Sequence, residues 1–239
     1  MRLHDFKVLS FDCYGTLIDW ETGILAGLAP LLDAPMAPPS REDVLARFGH
    51  FEALQQRATP TKRYSDILAI VYKRLAEAWG RPTTWEAALA FGASVPAWPA
   101  FPDSADALAE LTQHYKLVVL SNVDNASFAA SNAKLGVTFD AVFTAEETGV
   151  YKPHRAGFDY MLARLDERGI GKAAVLHTAQ SLFHDHATAA GLGLARCFID
   201  RHAARPGASA TPLPDGLRPP EFRFDSMAAL AAAVRDGSA

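Results

Sequence analysis

The chain predicts an α/β fold, a Rossmann-like parallel-sheet core interrupted early by a four-helix cap, and three observations carry that expectation. The apolar run Lys7-Val8-Leu9-Ser10-Phe11 reads as a short buried strand that ends on a carboxylate, Asp12. Residues 19–96 then carry helical spacing with no strand signal. From Asp103 onward strand and helix signals alternate, the pattern of parallel strands joined by crossover helices. Residues 1–18 and 97–239 are therefore expected to form the core, with residues 19–96 packed over Asp12 as the cap.

Each element has its own signal. Glu21 to Leu32 places apolar residues at helical spacing and gives way to the proline-rich residues 34–39. Ser40-Arg41-Glu42-Asp43 looks like an N-cap followed by acids in the first turn, opening a helix toward Gln56. Further helices are expected from about Tyr64 to Trp79 and Thr84 to Ala90, with residues 97–103 as the return linker. Ser104 to His114 reads as a helix and Lys116 to Leu120 as an all-apolar strand that stops at Ser121. Asn125 to Leu135 is a helix closed by Gly136, and Ala141 to Thr144 a strand, followed by a loop reaching Lys152-Pro153. A helix over 156–168, a strand over 173–176, a helix over 182–190 and a strand over 196–199 follow. Residues 204–220 lack periodicity and read as a surface loop, and a short strand and helix close the chain from Phe222.

Composition excludes several classes. A formal charge of −4 and the lack of any Lys/Arg run argue against nucleic acid and anionic lipid as partners. No apolar segment approaches the roughly 20 residues of a membrane helix, and no signal-peptide pattern opens the chain, so a cytoplasmic protein is expected. Self-association as a homodimer is left open. Cys13 and Cys197 are the two cysteines, too few for a disulfide framework or a thiolate metal site. Cys13 as a nucleophile is disfavoured, because on a two-residue strand period it points away from the side of its neighbour Asp12.

Four polar groups gather where strands end: Asp12, Ser121-Asn122, Lys152 and Asp185. In open parallel sheets that edge is where ligands bind. An aspartate there can act as a nucleophile on carbon or phosphorus, giving an ester or acyl phosphate that water opens. A lysine beside it keeps it ionised and offsets charge on the intermediate. Ser121 and Asn122, with the backbone N–H groups of Cys13 and Tyr14, can hold a substrate carboxylate, although capping a helix is the plain alternative for both side chains.

Asp12-Cys13-Tyr14-Gly15-Thr16-Leu17, Ser121-Asn122, Lys152-Pro153 and His184-Asp185 resemble the four ordered motifs of the haloacid dehalogenase superfamily, spanning nearly the whole chain. The resemblance implies that Asp12 is the nucleophile, Lys152 its cationic partner, Thr16 a hydrogen-bond donor to Asp12 or Asp185, and Asp185 the group that orients or activates water. Most members are phosphatases with a second aspartate two positions after the first and several carboxylates around magnesium. Here Tyr14 takes that position and His184-Asp185 offers one carboxylate, so no metal and no cofactor is expected. Tyr14 is shared with the 2-haloacid dehalogenases, which implies attack at C2 of a small carboxylate and hydrolysis of an (S)-2-haloacid to a 2-hydroxy acid.

That resemblance also implies a cap arginine as halide donor, for which Arg47 is the candidate against the plain reading of an exposed helix arginine, and aromatic pocket walls such as Trp20. His177-Thr178-Ala179-Gln180-Ser181 stands where the group carries Ser-Ser-Asn, which makes Gln180 and Ser181 further candidates. His184 is either an alternative base or a supporting residue. The stretch from Asp12 to Ile24, with residues 98–103 and 131–137, is also similar to the azetidine-2-carboxylate hydrolases of the same group, implying an amine leaving group instead of a halide. A magnesium-dependent phosphatase and a catalytically silent member are the remaining alternatives.

Overall fold

The computed structural model describes residues 1–33, 39–203 and 216–237. Six parallel strands, β1 (Val8–Phe11), β2 (Lys116–Ser121), β3 (Ala141–Thr144), β4 (Val175–Ala179), β5 (Ala195–Ile199) and β6 (Phe222–Phe224), form one sheet in the order β3-β2-β1-β4-β5-β6. The chain reverses its direction of travel across the sheet between β1 and β4, the switch point at which such sheets open a crevice beyond their carboxyl ends. Register brings those ends level: Phe11 lies beside Val119 on one side and Thr178 on the other.

Among the described residues between β1 and the first crossover helix lie four α-helices and no strand: α1 (Trp20–Leu32), α2 (Arg41–Ala58), α3 (Tyr64–Ala78) and α4 (Trp85–Gly92). These form the cap. Asp19 and Ser40 accept the amide hydrogens of Thr22 and Asp43, capping α1 and α2. The buried face of α2 runs Val44, Leu45, Phe48, Glu52, Gln55, Gln56, a helical stripe whose second half is polar. Cap and core meet closely at Gly23, where an added Cβ would stand 2.2 Å from Trp98 Cγ. Crossover helices α5 (Ser104–Leu111), α6 (Asn125–Leu135), α7 (Ala145–Thr148) and α8 (Arg155–Asp166), then α9 (Ala187–Gly191) and α10 (Met227–Asp236), complete the chain.

The two-residue strand period divides the core. Leu9, Phe11 and Cys13 pack into one apolar cluster shared with the cap helices, α5 and α10, whereas Val8 joins Val118, Leu120, Phe158 and Met161 against α8. Ser10 and Asp12 share the parity of Val8, so Cys13 is buried on the opposite side from Asp12.

Three local expectations need correction. β4, expected over 173–176, starts at Val175, after a 3-10 turn over Lys172–Ala174, and runs on to Ala179, so His177 and Thr178 are strand residues paired to β1. Residues 145–148, expected within a loop, form α7, capped by the Thr144 hydroxyl and ended by Gly149. The segment expected as one helix from Leu182 starts as a π turn, Leu182–His186, before α9. Residues 34–38 of the proline-rich stretch and residues 204–215 of the expected surface loop lie outside the described residues.

Candidate active site

Asp12 leaves β1 at the switch point, and Gly15, at φ +93°, turns the chain so that Thr16 comes back onto it. Thr16 Oγ1 donates to Asp12 Oδ2 at 2.7 Å and accepts the Gln180 amide at 2.9 Å, tying the ends of β1 and β4 together. Lys152 reaches in from the loop before α8. Its Nζ donates to Asp12 Oδ1 at 2.8 Å, Asp185 Oδ1 at 2.7 Å and the Leu120 carbonyl at 2.9 Å, which uses all three of its hydrogens. Asn122 clamps the Lys152 backbone, accepting its N–H at 2.6 Å and donating to its carbonyl at 2.9 Å.

Behind Asp185 stands His177. Its Nε2 pairs with Asp185 Oδ1 at 2.8 Å and its Nδ1 with Ser10 Oγ at 2.9 Å, so a buried chain runs Ser10, His177, Asp185, Lys152, Asp12. Among the described residues, Asp185 Oδ2 is buried without a hydrogen-bond partner, and so is Ser121 Oγ at the end of β2.

Burial sets the charges here. It would raise the Asp185 carboxyl, but Lys152 and His177 outweigh it and hold that group well below the usual carboxylate range. Burial pushes Asp12 up against the pull of Lys152. The Lys152 ammonium is opposed by burial, yet its two carboxylate partners more than compensate and its pKa is raised. His184 is lowered to about 4 by burial, so it is neutral near pH 7. The Cys13 thiol is pushed well up, first by burial and then by Asp12, the opposite of an activated thiolate.

A cavity of about 40 Å³ lies between these groups and the cap, and its cap wall comprises Trp20, Glu52, Gln56 and Tyr64. Tyr14 lines it too, with its hydroxyl fixed by Ser131 Oγ at 2.8 Å. Glu52 is buried, and Tyr64 Oη donates to its Oε1 at 2.7 Å. Burial raises the Glu52 carboxyl to about 7, with the Tyr64 hydroxyl working the other way. A wider groove of about 540 Å³ abuts the cavity and shares Gln56, Lys152 and His184 with it.

Of the residues singled out from sequence, Asp12, Thr16, Lys152 and Asp185 are directly bonded to one another, Asn122 secures Lys152, and Tyr14, Trp20, Ser181 and His184 line the cavity. Ser181 Oγ accepts the His184 amide at 2.9 Å, and Gln180 takes part through its backbone amide. Arg47 does not come to the cluster: it pairs with Asp43 at 2.9 Å on the exposed face of α2, one turn earlier. Sequence reasoning missed Ser10, His177, Glu52, Gln56 and Tyr64. The available signal for Glu52 was its place four residues after Phe48 on the buried stripe, where a charge has no structural use.

The residues do not fit a magnesium site. Lys152 Nζ sits between the two carboxylates that would share an ion, Tyr14 stands where a further carboxylate would be needed, and no group of three or more His, Cys, Asp or Glu suited to a metal occurs among the described residues. No helix among the described residues is long and apolar enough to cross a membrane.

Solved structures similar to this chain include the L-2-haloacid dehalogenase from Xanthobacter autotrophicus with chloropropionic acid covalently bound, at 20% identity and TM-score 0.78 over 98% of this chain and 100% of that one. A defluorinating L-2-haloacid dehalogenase matches at 17% identity and TM-score 0.77, over 98% of each chain. A putative hydrolase of the same superfamily from Bacillus subtilis, bound to magnesium, matches at 17% identity and TM-score 0.74, over 96% of this chain and 99% of that one. A search of curated protein sequences found no match. The family profile for haloacid dehalogenase-like hydrolases matches residues 6–178, well over half of the sequence, and the chain therefore belongs to that hydrolase family.

Proposed function

We propose that the protein displaces a leaving group from C2 of a small 2-substituted carboxylate through an ester on Asp12, without metal or cofactor and in the cytoplasm. The observation that carries this reading is one buried ammonium, Lys152, bridging Asp12 and Asp185 at 2.8 and 2.7 Å. An Asp12 oxygen attacks C2 opposite the leaving group, so that the C2–O bond forms as the other bond breaks and its electron pair departs with the leaving group. Ser121 Oγ, which has no partner among the described residues, and the backbone N–H groups of Cys13 and Tyr14 are available to hold the substrate carboxylate.

Water then attacks the ester carbonyl carbon of Asp12. Asp185 Oδ2, ionised and unpartnered, takes the water proton, while Lys152 offsets the charge of the tetrahedral intermediate. Collapse breaks the bond to the C2 oxygen, which takes the remaining water proton, freeing the 2-hydroxy acid and restoring the Asp12 carboxylate. His177 and Ser10 hold Asp185 in the orientation this requires.

Two leaving groups fit that chemistry. Dehalogenation of an (S)-2-haloacid is supported by the likeness to the L-2-haloacid dehalogenases, one of which holds chloropropionic acid covalently. Halide departure needs a donor, and Arg47, expected to supply it, faces away. Opening of a ring amine such as azetidine-2-carboxylate is favoured by a specific observation, a carboxylate, Glu52, in the cap wall of the cavity. The phosphatase reading lacks a ligand set for its metal.

Single turnover in oxygen-18 water tests the shared mechanism. Label is expected in Asp12 first and in the product on the next turnover, and Asp12→Asn is expected to abolish product. Label entering product directly, with Asp12 unlabelled, rules the ester out.

A further inference from the structure

We propose that Glu52 determines the leaving group, its carboxylate receiving a protonated nitrogen on C2 of the substrate so that the pocket selects a small cyclic amino acid over a haloacid. This rests on the reading of Asp12 as nucleophile. Glu52 is 4% exposed, yet it borders the same cavity as Asp12 and spends one oxygen, Oε1, on Tyr64. Its Oε2 makes no hydrogen bond among the described residues. A carboxyl in that position costs stability that an apolar or amide side chain would not, so its presence is explained by what enters the cavity.

The surrounding charges point the same way. Groups facing Glu52 are Tyr64 from α3, Tyr151 from the loop before α8, and across the cavity Asp12, Tyr14, Lys152, His184 and Asp185. Lys152 is the cation among them, and its three hydrogens are already committed to Asp12, Asp185 and Leu120. A departing halide would find a carboxylate and no spare cation, whereas an ammonium finds a free carboxylate oxygen. As Asp12 attacks C2 of the protonated ring, the C2–N electron pair passes to nitrogen, which leaves as a neutral primary amine still tethered to the esterified chain. Water opens the ester: one of its protons goes to the departing C2 oxygen and the one that Asp185 takes passes to that amine, so no other reactant is needed.

The test compares azetidine-2-carboxylate with 2-chloropropionate on wild type and Glu52→Gln. Ring opening is expected to exceed chloride release in wild type, and E52Q to lose about 100-fold or more in kcat/KM for the ring, so that the ratio of ring opening to chloride release falls by at least that factor. Burial raises the Glu52 carboxyl to about 7, so kcat/KM for the ring is expected to fall as pH drops below about 7 in wild type and to lose that limb in E52Q. Calorimetric binding to Asp12→Asn protein separates recognition from turnover: azetidine-2-carboxylate is expected to bind, and to bind at least tenfold more weakly when E52Q is added. Faster chloride release than ring opening in wild type, an unchanged ratio in a folded E52Q, or equal binding by both proteins overturns the assignment. Failure of oxygen-18 to enter Asp12 instead overturns the nucleophile, independently of these ratios.

Discussion

The two walls of the cavity are built on opposite principles. The core wall is closed on itself: Asp12, Thr16, Lys152, Asp185, His177 and Ser10 hold one another through a continuous run of buried hydrogen bonds anchored on β1 and β4. The cap wall is sparse, with Tyr64 the one hydrogen-bond partner of Glu52 among the described residues and aromatic rings nearby, Trp20 resting edge-on against Phe48. A satisfied network fixes geometry, which nucleophilic attack and water activation require, whereas a group with a spare oxygen is left to answer to the substrate. On the proposed mechanism, the difference teaches that the sheet would supply the reaction and the cap its selectivity.

The largest effect expected is on the core wall. Lys152→Met leaves Asp12 and Asp185 buried without their shared cation, and should cost about 3–5 kcal/mol of stability together with loss of turnover, read by urea denaturation and product assay. A variant as stable as wild type would mean that the two carboxylates are not held as charges. The cap wall predicts a gain of stability instead. The Glu52 pKa is raised from 4.5 to about 7 by burial, so the contribution of this group is fully present below pH 4.5 and is lost as pH rises through 7. Relative to wild type, Glu52→Gln should therefore gain up to about 3 kcal/mol between pH 4.5 and pH 8. Denaturation midpoints that keep a constant difference across that range would show that Glu52 is solvated and the cap wall open.

Smaller effects sharpen the contrast. His177→Ala removes one of the two donors to Asp185, and about 1–3 kcal/mol should be lost with it. If Asp185 acts on water, the variant should also accumulate the Asp12 ester, visible by mass spectrometry of the quenched protein. An ester that decays at the wild-type rate would remove His177 from the second half of the reaction. The smallest effect belongs to Arg47→Ala: the Arg47–Asp43 pair is an exposed i,i+4 contact, so stability should move by less than about 0.5 kcal/mol and kcat/KM by less than twofold. A large loss of activity would mean that α2 turns its other face to the substrate.

Much of the core wall was legible in the sequence because it depends on strand ends, and strand ends are local. Asp12 follows an apolar run, Ser121 follows another, and the resemblance carried Lys152 and Asp185. His177 was not legible, since the apolar signal of β4 stops at Leu176 and only the pairing of Ser10 with His177 across the sheet shows that the strand continues into the site. The cap wall divides in the same way. Helical spacing places Arg47 and Glu52 on different faces of α2, but which polar residue meets Asp12 depends on how α2 lies over the sheet edge.

By itself the sequence determined a parallel α/β core with an early helical insertion, a carboxylate at the first strand end and a tyrosine where a metal-binding acid would stand. Tertiary structure alone decided that Lys152 joins Asp12 to Asp185, that His177 stands behind them, and that Glu52 faces the cavity while Arg47 turns outward. The physical reason is range. Periodicity and capping act within a few residues, whereas the pKa of a buried acid and the free oxygen of a carboxylate are set by groups that the chain brings together across the fold.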